Sequence, residues 1–283
     1  MDILNDTRCI IGEGPIWNEK RKRLYHVDGY NRAIHIIDPV TKERETRVFE
    51  WGFASLAFDS EQRLIGATGD GVYYINDDGT RTPLYDREKY QLRYCNDMKV
   101  GPDGRIYVGT QSEKRYGSGD KIDGKLWSID KSGEVKLMLD GLILSNGMDW
   151  SRDGKYFYHT DSDTQIIKEY EFLPNGWEIK PTGRECFADG VDGFTVGSDR
   201  MIYAALWGKG RLAIVDTQTM KIATYIEIDA KIPASCAFYG DNMDRLAVVT
   251  ATYGMGDGYG ENDGYTLSYD VGTHGFLPHL FGR

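Results

Sequence analysis

The sequence predicts an all-β fold, a six-bladed β-propeller with four-stranded antiparallel blades around a central channel, and three observations support it. The chain of 283 residues contains 34 Gly and 19 Tyr but only 8 Pro, which is typical of short strands joined by tight turns. A strand-turn-strand pattern recurs with a period of about 40–50 residues, the length of a propeller blade. No segment has the apolar i, i+3, i+4 spacing of a helix over about ten residues.

The repeat is defined by a key position that lies four residues before an apolar side chain. In the fourth unit Asn146 precedes Trp150, and a turn with the sequence Ser-Arg-Asp-Gly then leads to a second strand. The six key positions are Glu13, Ala54, Asn96, Asn146, Asp192 and Ala234. Their intervals are 41, 42, 50, 46 and 42 residues, so we predict one propeller domain over residues 1–283. The segment Ile3–Cys9 is predicted to complete the last blade.

Two insertions interrupt the period, over residues 111–124 and 251–264. Each follows the second strand of its unit, so both are predicted to emerge on the same face of the ring. The second insertion alternates Gly with Tyr253 and Tyr259, which suits either an adaptable lid or a plain flexible loop.

Charge and composition narrow the class of partner. The formal net charge is −10 without a block of like charges, which argues against a nucleic-acid partner. No run approaches the roughly 20 apolar residues of a membrane span, and the N-terminus has no secretory pattern. The four cysteines form no C-x-x-C pair. We therefore expect reduced thiols, a cytoplasmic location and a monomer or weak homo-oligomer.

The key positions carry the candidate chemistry. Inner strands of a propeller begin at the central channel, so ring closure would gather Glu13, Asn96, Asn146 and Asp192 around one axis. Carboxylate and amide oxygens suit hard divalent cations, and the absence of His and Cys weakens the case for a dedicated zinc site. Each residue alone could instead hydrogen-bond a local turn. Four oxygen-bearing side chains at equivalent positions favour a cation site, with gaps at Ala54 and Ala234 for water or substrate.

Four sequence blocks resemble the signature of a known family. They are Gly12–Trp17, Asn96–Arg105, Ser145–Ser151 and Val191–Gly193. Their order and spacing are similar to those of the senescence marker protein (regucalcin), gluconolactonase and luciferin-regenerating enzyme family. The resemblance implies a six-bladed propeller with one divalent cation in the channel and, in many members, hydrolysis of sugar lactones. It implies that Glu13, Asn146 and Asp192 ligate the cation and that Asn96 touches substrate or a bound water.

The chain departs from the family pattern in the substrate-binding layer. In the sugar lactonases of the family that the chain resembles, an Arg stands two places before the equivalent of Asn96. In this chain that place is occupied by Tyr94, and Arg93 lies one residue further from Asn96. The glutamate expected in the lid corresponds to Glu113, with Lys114 beside it. We therefore predict a substrate-binding group of Arg93, Tyr94, Asn96 and Glu113 whose specificity differs from that of other members.

These observations predict a metal-dependent lactonase that opens a sugar-acid lactone, a gluconolactone above all. The cation, Ca²⁺ foremost with Zn²⁺, Mn²⁺ or Mg²⁺ as alternatives, would polarise the lactone carbonyl and activate a water. Asp192 is the candidate general base. The alternatives are a phosphotriesterase-like or other lactone hydrolase on the same metal site, and a calcium-binding protein without turnover.

Overall fold

Six sheets of four antiparallel strands make up the structure, a computed structural model that describes residues 1–283. Blade 1 contains β2 (Gly12–Asn18), β3 (Arg23–Asp28), β4 (Ala33–Ile37) and β5 (Arg44–Val48). Blade 2 contains β6 (Phe53–Phe58), β7 (Leu64–Thr68), β8 (Gly71–Ile75) and β9 (Arg81–Pro83). Blade 3 contains β10 (Cys95–Val100), β11 (Ile106–Thr110), β12 (Gly124–Ile129) and β13 (Val135–Leu142). In these three sheets the strands follow chain order, and the first strand of each is the inner one.

The second half of the chain repeats the arrangement. Blade 4 contains β14 (Ser145–Trp150), β15 (Tyr156–Asp161), β16 (Ile166–Leu173) and β17 (Glu178–Phe187). Blade 5 contains β18 (Val191–Val196), β19 (Met201–Leu206), β20 (Arg211–Asp216) and β21 (Lys221–Glu227). Blade 6 contains β22 (Pro233–Tyr239), β23 (Arg245–Thr250), β24 (Thr266–Tyr269) and, as its outer strand, β1 (Asp2–Asn5). The helices are a short α1 (Glu113–Tyr116) and a 3₁₀ turn (Pro174–Gly176). The predicted six-bladed propeller is confirmed. None of the helices has the length and hydropathy needed to cross a bilayer.

The N-terminal strand closes the ring, because β1 pairs with β24 through Ile3 and Leu267. The prediction placed this closing segment at Ile3–Cys9, whereas the strand covers Asp2–Asn5. The Asn5 side chain ends the strand early, since its Oδ1 accepts a hydrogen bond of 3.0 Å from the Thr7 N–H and turns the chain. The closure leaves no unpaired strand edge between the first and last blades.

The core lies between neighbouring blades. Every residue of the second strand β7 is buried, because adjacent sheets cover both of its faces. By contrast, the outer strand β5 is mostly exposed. Fully buried residues such as Leu24, Ile65 and Ile106 each contribute about 1.5–3 kcal/mol to folding. The four cysteines are free and buried in this core, as expected.

A β-bulge near the start of the inner strands positions the key residues. In blade 4, Ser145 pairs with Asp161 and Met148 with His159, so Asn146 and Gly147 together oppose one residue. The register shifts at the same place in blades 2, 3, 5 and 6. In blade 1 the shift follows Glu13, which itself pairs with Val27. Such a bulge turns its side chain out of the regular alternation. Gly147 is required here, because a β-carbon would overlap the Asp192 carbonyl oxygen.

The C-terminal tail, residues 270–283, crosses the opposite face of the ring. The carbonyl oxygen of His274 accepts from the Ser198 N–H in blade 5, and the Phe281 N–H donates to the Phe58 oxygen in blade 2. The tail thereby covers a cavity of about 310 Å³ that lies in the channel below the key residues. The tail itself contains no strand, because the last one, β24, ends at Tyr269.

Candidate metal centre

The predicted side chains lie at equivalent places around the channel. Glu13, Asn96, Asn146 and Asp192 are each the second residue of an inner strand, on β2, β10, β14 and β18. Ala54 and Ala234 occupy the same places on β6 and β22. Both Asn146 and Asp192 are only 6% exposed.

Hydrogen bonds connect three of these residues from blade to blade. The Asn146 Nδ2 donates to Asp192 Oδ1. The Asn96 Nδ2 donates to the Ser145 carbonyl oxygen at 3.0 Å, and Gln111 Nε2 donates to Asn96 Oδ1 at 3.3 Å. Each side chain is therefore oriented by the neighbouring blade rather than by its own turn, which argues against the purely local interpretation.

The electrostatics show an accumulation of buried negative charge. Burial and the nearby Asp97 carboxylate raise the pKa of Asp192 to about 8, although Asn146 and Arg115 oppose this rise. Burial, followed by the charges of Asp192 and Asp97, raises the pKa of Glu13 well above its usual value. A divalent cation among these oxygens would compensate the charge. The donor set is all oxygen, so the residues present fit a hard cation.

Asp97 is a third carboxylate of the centre that the sequence interpretation missed. It is 9% exposed, and its Oδ1 accepts from Ser55 Oγ at 3.2 Å and from the Met98 N–H at 2.8 Å. Burial also raises its pKa, although Lys99 counteracts the effect. Asp97 occupies the second bulge position, where Gly147 and Gly193 stand in blades 4 and 5. The carboxylate at a position where the other two blades have Gly was the sequence signal that could have identified Asp97.

Arg115 was missed as well, because it lies on the insertion of blade 3. Ser112 caps the start of α1 and Gly117, with φ of +78°, ends it. The short helix brings Arg115 close enough to the centre for its charge to lower the pKa of Asp192. Arg115 has no carboxylate partner within ion-pair distance. It is therefore a cation free to meet a ligand.

The three predicted substrate-binding residues outside the key positions lie beside the same insertion. The Tyr94 ring stacks on Tyr116 with a centroid distance of 4.1 Å, and Arg93 Cζ lies 5.7 Å from the Tyr94 ring centroid. The Glu113 carboxylate faces Lys121 Nζ at 3.9 Å. Glu113 is thus paired within the insertion in this structure, and its contact with substrate stays a prediction.

A second cluster with metal-ligand chemistry lies between blades 1 and 6. The side-chain ligand atoms of Cys9, Asp28 and His35 are within 4.8 Å of one another, and all three residues are buried. However, Asp28 accepts hydrogen bonds from the N–H groups of Ile10 and Ile11. In blade 4, Asp161 does the same for the chain before β14. The Asp28 carboxylate therefore fixes the entry to its inner strand.

Comparisons with known proteins show which proteins the chain resembles. The model of the SMP-30/Gluconolactonase/LRE-like region matches residues 11–252. The chain is 32% identical to the Bacillus subtilis protein named "Putative sugar lactone lactonase YvrE" over 88% of this chain and 86% of that protein. It is 30% identical to pentonolactonase XacC of Haloferax volcanii, over 91% and 87% of the two chains.

Solved structures share the fold at lower identity. A calcium-binding regucalcin from Agrobacterium tumefaciens superposes with a TM-score of 0.86 at 21% identity, covering 99% of this chain and 97% of that one. A luciferin-regenerating enzyme gives a TM-score of 0.87 at 21% identity, covering 98% and 96%. The family model spans most of the chain, including all four predicted oxygen-bearing positions. The protein therefore belongs to the SMP-30/gluconolactonase/LRE-like family.

Proposed function

We propose that the protein is a lactonase that opens sugar-acid lactones at a divalent cation held by Glu13, Asn146 and Asp192. The observation that carries the proposal is the buried oxygen set in the channel of a chain about a third identical to proteins named as lactonases. Ca²⁺ is our first choice of cation, since all candidate ligands are oxygens and the Agrobacterium tumefaciens regucalcin that shares the fold is a calcium-binding protein.

The reaction adds water to the lactone carbonyl carbon and breaks the bond from that carbon to the ring oxygen. A bound cation would stabilise the negative charge that develops on the carbonyl oxygen. Asp192 would hold the cation through one carboxylate oxygen and accept the proton of the attacking water at the other. The same proton then passes to the departing ring oxygen, which becomes the hydroxyl of the product acid. Asn96, held by Ser145 and Gln111, orients the substrate.

We expect the purified protein to release protons from sugar lactones in a cation-dependent way. A pH-indicator assay on glucono-1,5-lactone and pentonolactones measures this directly, with EDTA treatment followed by Ca²⁺, Mn²⁺, Mg²⁺ or Zn²⁺. A phosphotriester and an aromatic lactone belong in the same panel. Faster turnover of either would favour the alternative hydrolase, whereas tight Ca²⁺ binding without hydrolysis of any compound would favour a binding protein.

The sugar lactonases that the chain resembles have an Arg at the place of Tyr94, and we propose that Arg115 supplies the positive charge of that Arg. It has no acidic partner and lies on the helix above the channel, so its guanidinium is available for a lactone oxygen. We expect Arg115→Ala to raise KM for glucono-1,5-lactone by about tenfold or more, the usual effect of losing a charged hydrogen bond. The matched control is Lys114→Ala, on the same helix. Equal KM values for the two variants would exclude this role for Arg115.

A further inference from the structure

Two pairs of tyrosines stand at the mouth of the channel, above the candidate metal centre. Tyr30, in the turn between β3 and β4, meets Tyr253 of the second insertion with ring centroids 5.3 Å apart. Tyr94, just before β10, stacks on Tyr116 of α1 at 4.1 Å. All four follow a second strand or precede an inner strand, so they lie on the face where the inner strands begin.

Three of these four tyrosines are exposed, and Tyr94 is half-buried. Tyr30 is 58% exposed, Tyr116 57% and Tyr253 47%, whereas Tyr107 and Tyr158 are packed in the core. Tyr253 foremost, and to a smaller extent burial and Tyr116, raise the pKa of Tyr30. The two pairs lie on the same face of the ring, where the inner strands begin. Exposed aromatic surface gathered around a site indicates a ligand contact.

The backbone holds both pairs in place. The Tyr94 N–H donates to the Gly69 oxygen at 2.7 Å, and the Tyr94 hydroxyl donates to Ser118 Oγ at 3.2 Å. The Tyr253 N–H donates to the Ile10 oxygen at 3.1 Å. The Arg8 guanidinium donates to the carbonyl oxygens of Gly260, Glu261 and Asp263, which ties the second insertion down. The tyrosine faces are thus preorganised, which lowers the entropic cost of binding.

We propose that these tyrosine pairs form a subsite for a second sugar ring, joined by a glycosidic bond to the aldonolactone in the channel. The proposal rests on the proposed function and names its substrate class as disaccharide lactones. A pyranose has apolar C–H faces that pack on aromatic rings, and its hydroxyls can pair with phenol hydroxyls. An alkyl chain would use the ring faces but would form no hydrogen bond with the phenol hydroxyls at the mouth.

The test compares cellobiono-1,5-lactone with glucono-1,5-lactone in the wild-type protein and in Tyr116→Ala and Tyr253→Ala. We expect the wild type to prefer the disaccharide lactone, and each variant to reduce that preference in kcat/KM by about three- to tenfold. Tyr225→Ala is the matched control, because Tyr225 is 40% exposed on the outer strand β21. Equal losses on both lactones, or an unchanged preference, would overturn the subsite.

A binding measurement separates this inference from the proposed function. Calorimetric titration with cellobionate and gluconate, the open-chain acids, measures how much the second sugar ring adds to the binding affinity, and it requires no turnover. We expect cellobionate to bind more tightly than gluconate, with the difference reduced in Tyr116→Ala and Tyr253→Ala but retained in Tyr225→Ala. If the protein hydrolyses neither lactone but shows this pattern of affinities, the proposed lactonase function is wrong and the subsite is supported. Equal affinity for the two acids would refute the subsite even if both lactones were hydrolysed.

Discussion

Replacing Asp192 with alanine should abolish both cation binding and lactone hydrolysis. We expect kcat/KM to fall at least about a thousandfold, because the change removes a cation ligand and the proposed proton acceptor together. It also leaves Asn146 Nδ2 without its acceptor on the neighbouring blade. Steady-state kinetics on glucono-1,5-lactone and calorimetric titration with Ca²⁺ measure the two effects separately.

Two further variants make the result specific. Asp192→Asn keeps the side-chain shape but removes the charge, so it should lose cation binding while the far-ultraviolet circular dichroism stays native. Asp189→Ala removes an exposed carboxylate that pairs with Lys209 Nζ at 2.6 Å, and it should leave both measurements unchanged. An Asp192→Ala protein that still binds Ca²⁺ and turns over at the wild-type rate would exclude the assignment.

The repeat was the part of the fold that local sequence could predict. Each inner strand is preceded by a key position and followed by a turn such as Ser151–Gly154, and both signals are short-range. The end of β1 and the course of the C-terminal tail depend instead on tertiary contacts. Asn5 turns the chain through a side-chain hydrogen bond, and the tail is held by backbone groups from blades 2 and 5. No periodicity in those segments encodes such contacts.

The candidate site likewise contains residues that the repeat predicts and residues that depend on tertiary structure. Ring symmetry was enough to bring Glu13, Asn146 and Asp192 together, because each occupies the same place in its repeat. Arg115 lies on a helix without a counterpart in the other blades, and its direction is set by the cap at Ser112. Asp97 reaches the centre through a bulge, which breaks the simple alternation of strand side chains. Departures from the repeat were therefore the harder features to interpret.

The cation-free protein should lose stability as the pH rises from about 5 to 8. Without a cation the folded state keeps Asp192 protonated up to a pKa of about 8, whereas the unfolded chain loses that proton near 3.8. The folded state therefore binds more protons across this window, so the free energy of unfolding falls as pH increases. The raised pKa of Glu13 acts in the same direction. Calorimetric Tm values for EDTA-treated protein at each pH measure the slope.

Ca²⁺ should reverse this trend, because ionised carboxylates bind the cation and protonated ones do not. At about a hundred times the dissociation constant, binding to the folded state adds roughly 2.7 kcal/mol, or about 5 °C in Tm for a chain of this size. We expect the gain to be larger at pH 8 than at pH 5. Asp192→Asn cannot ionise and should not bind the cation, so it should show a flatter pH slope and no gain in Tm with Ca²⁺. A Tm gain that is equal at both pH values in the wild type would show that the cation binds away from these buried carboxylates.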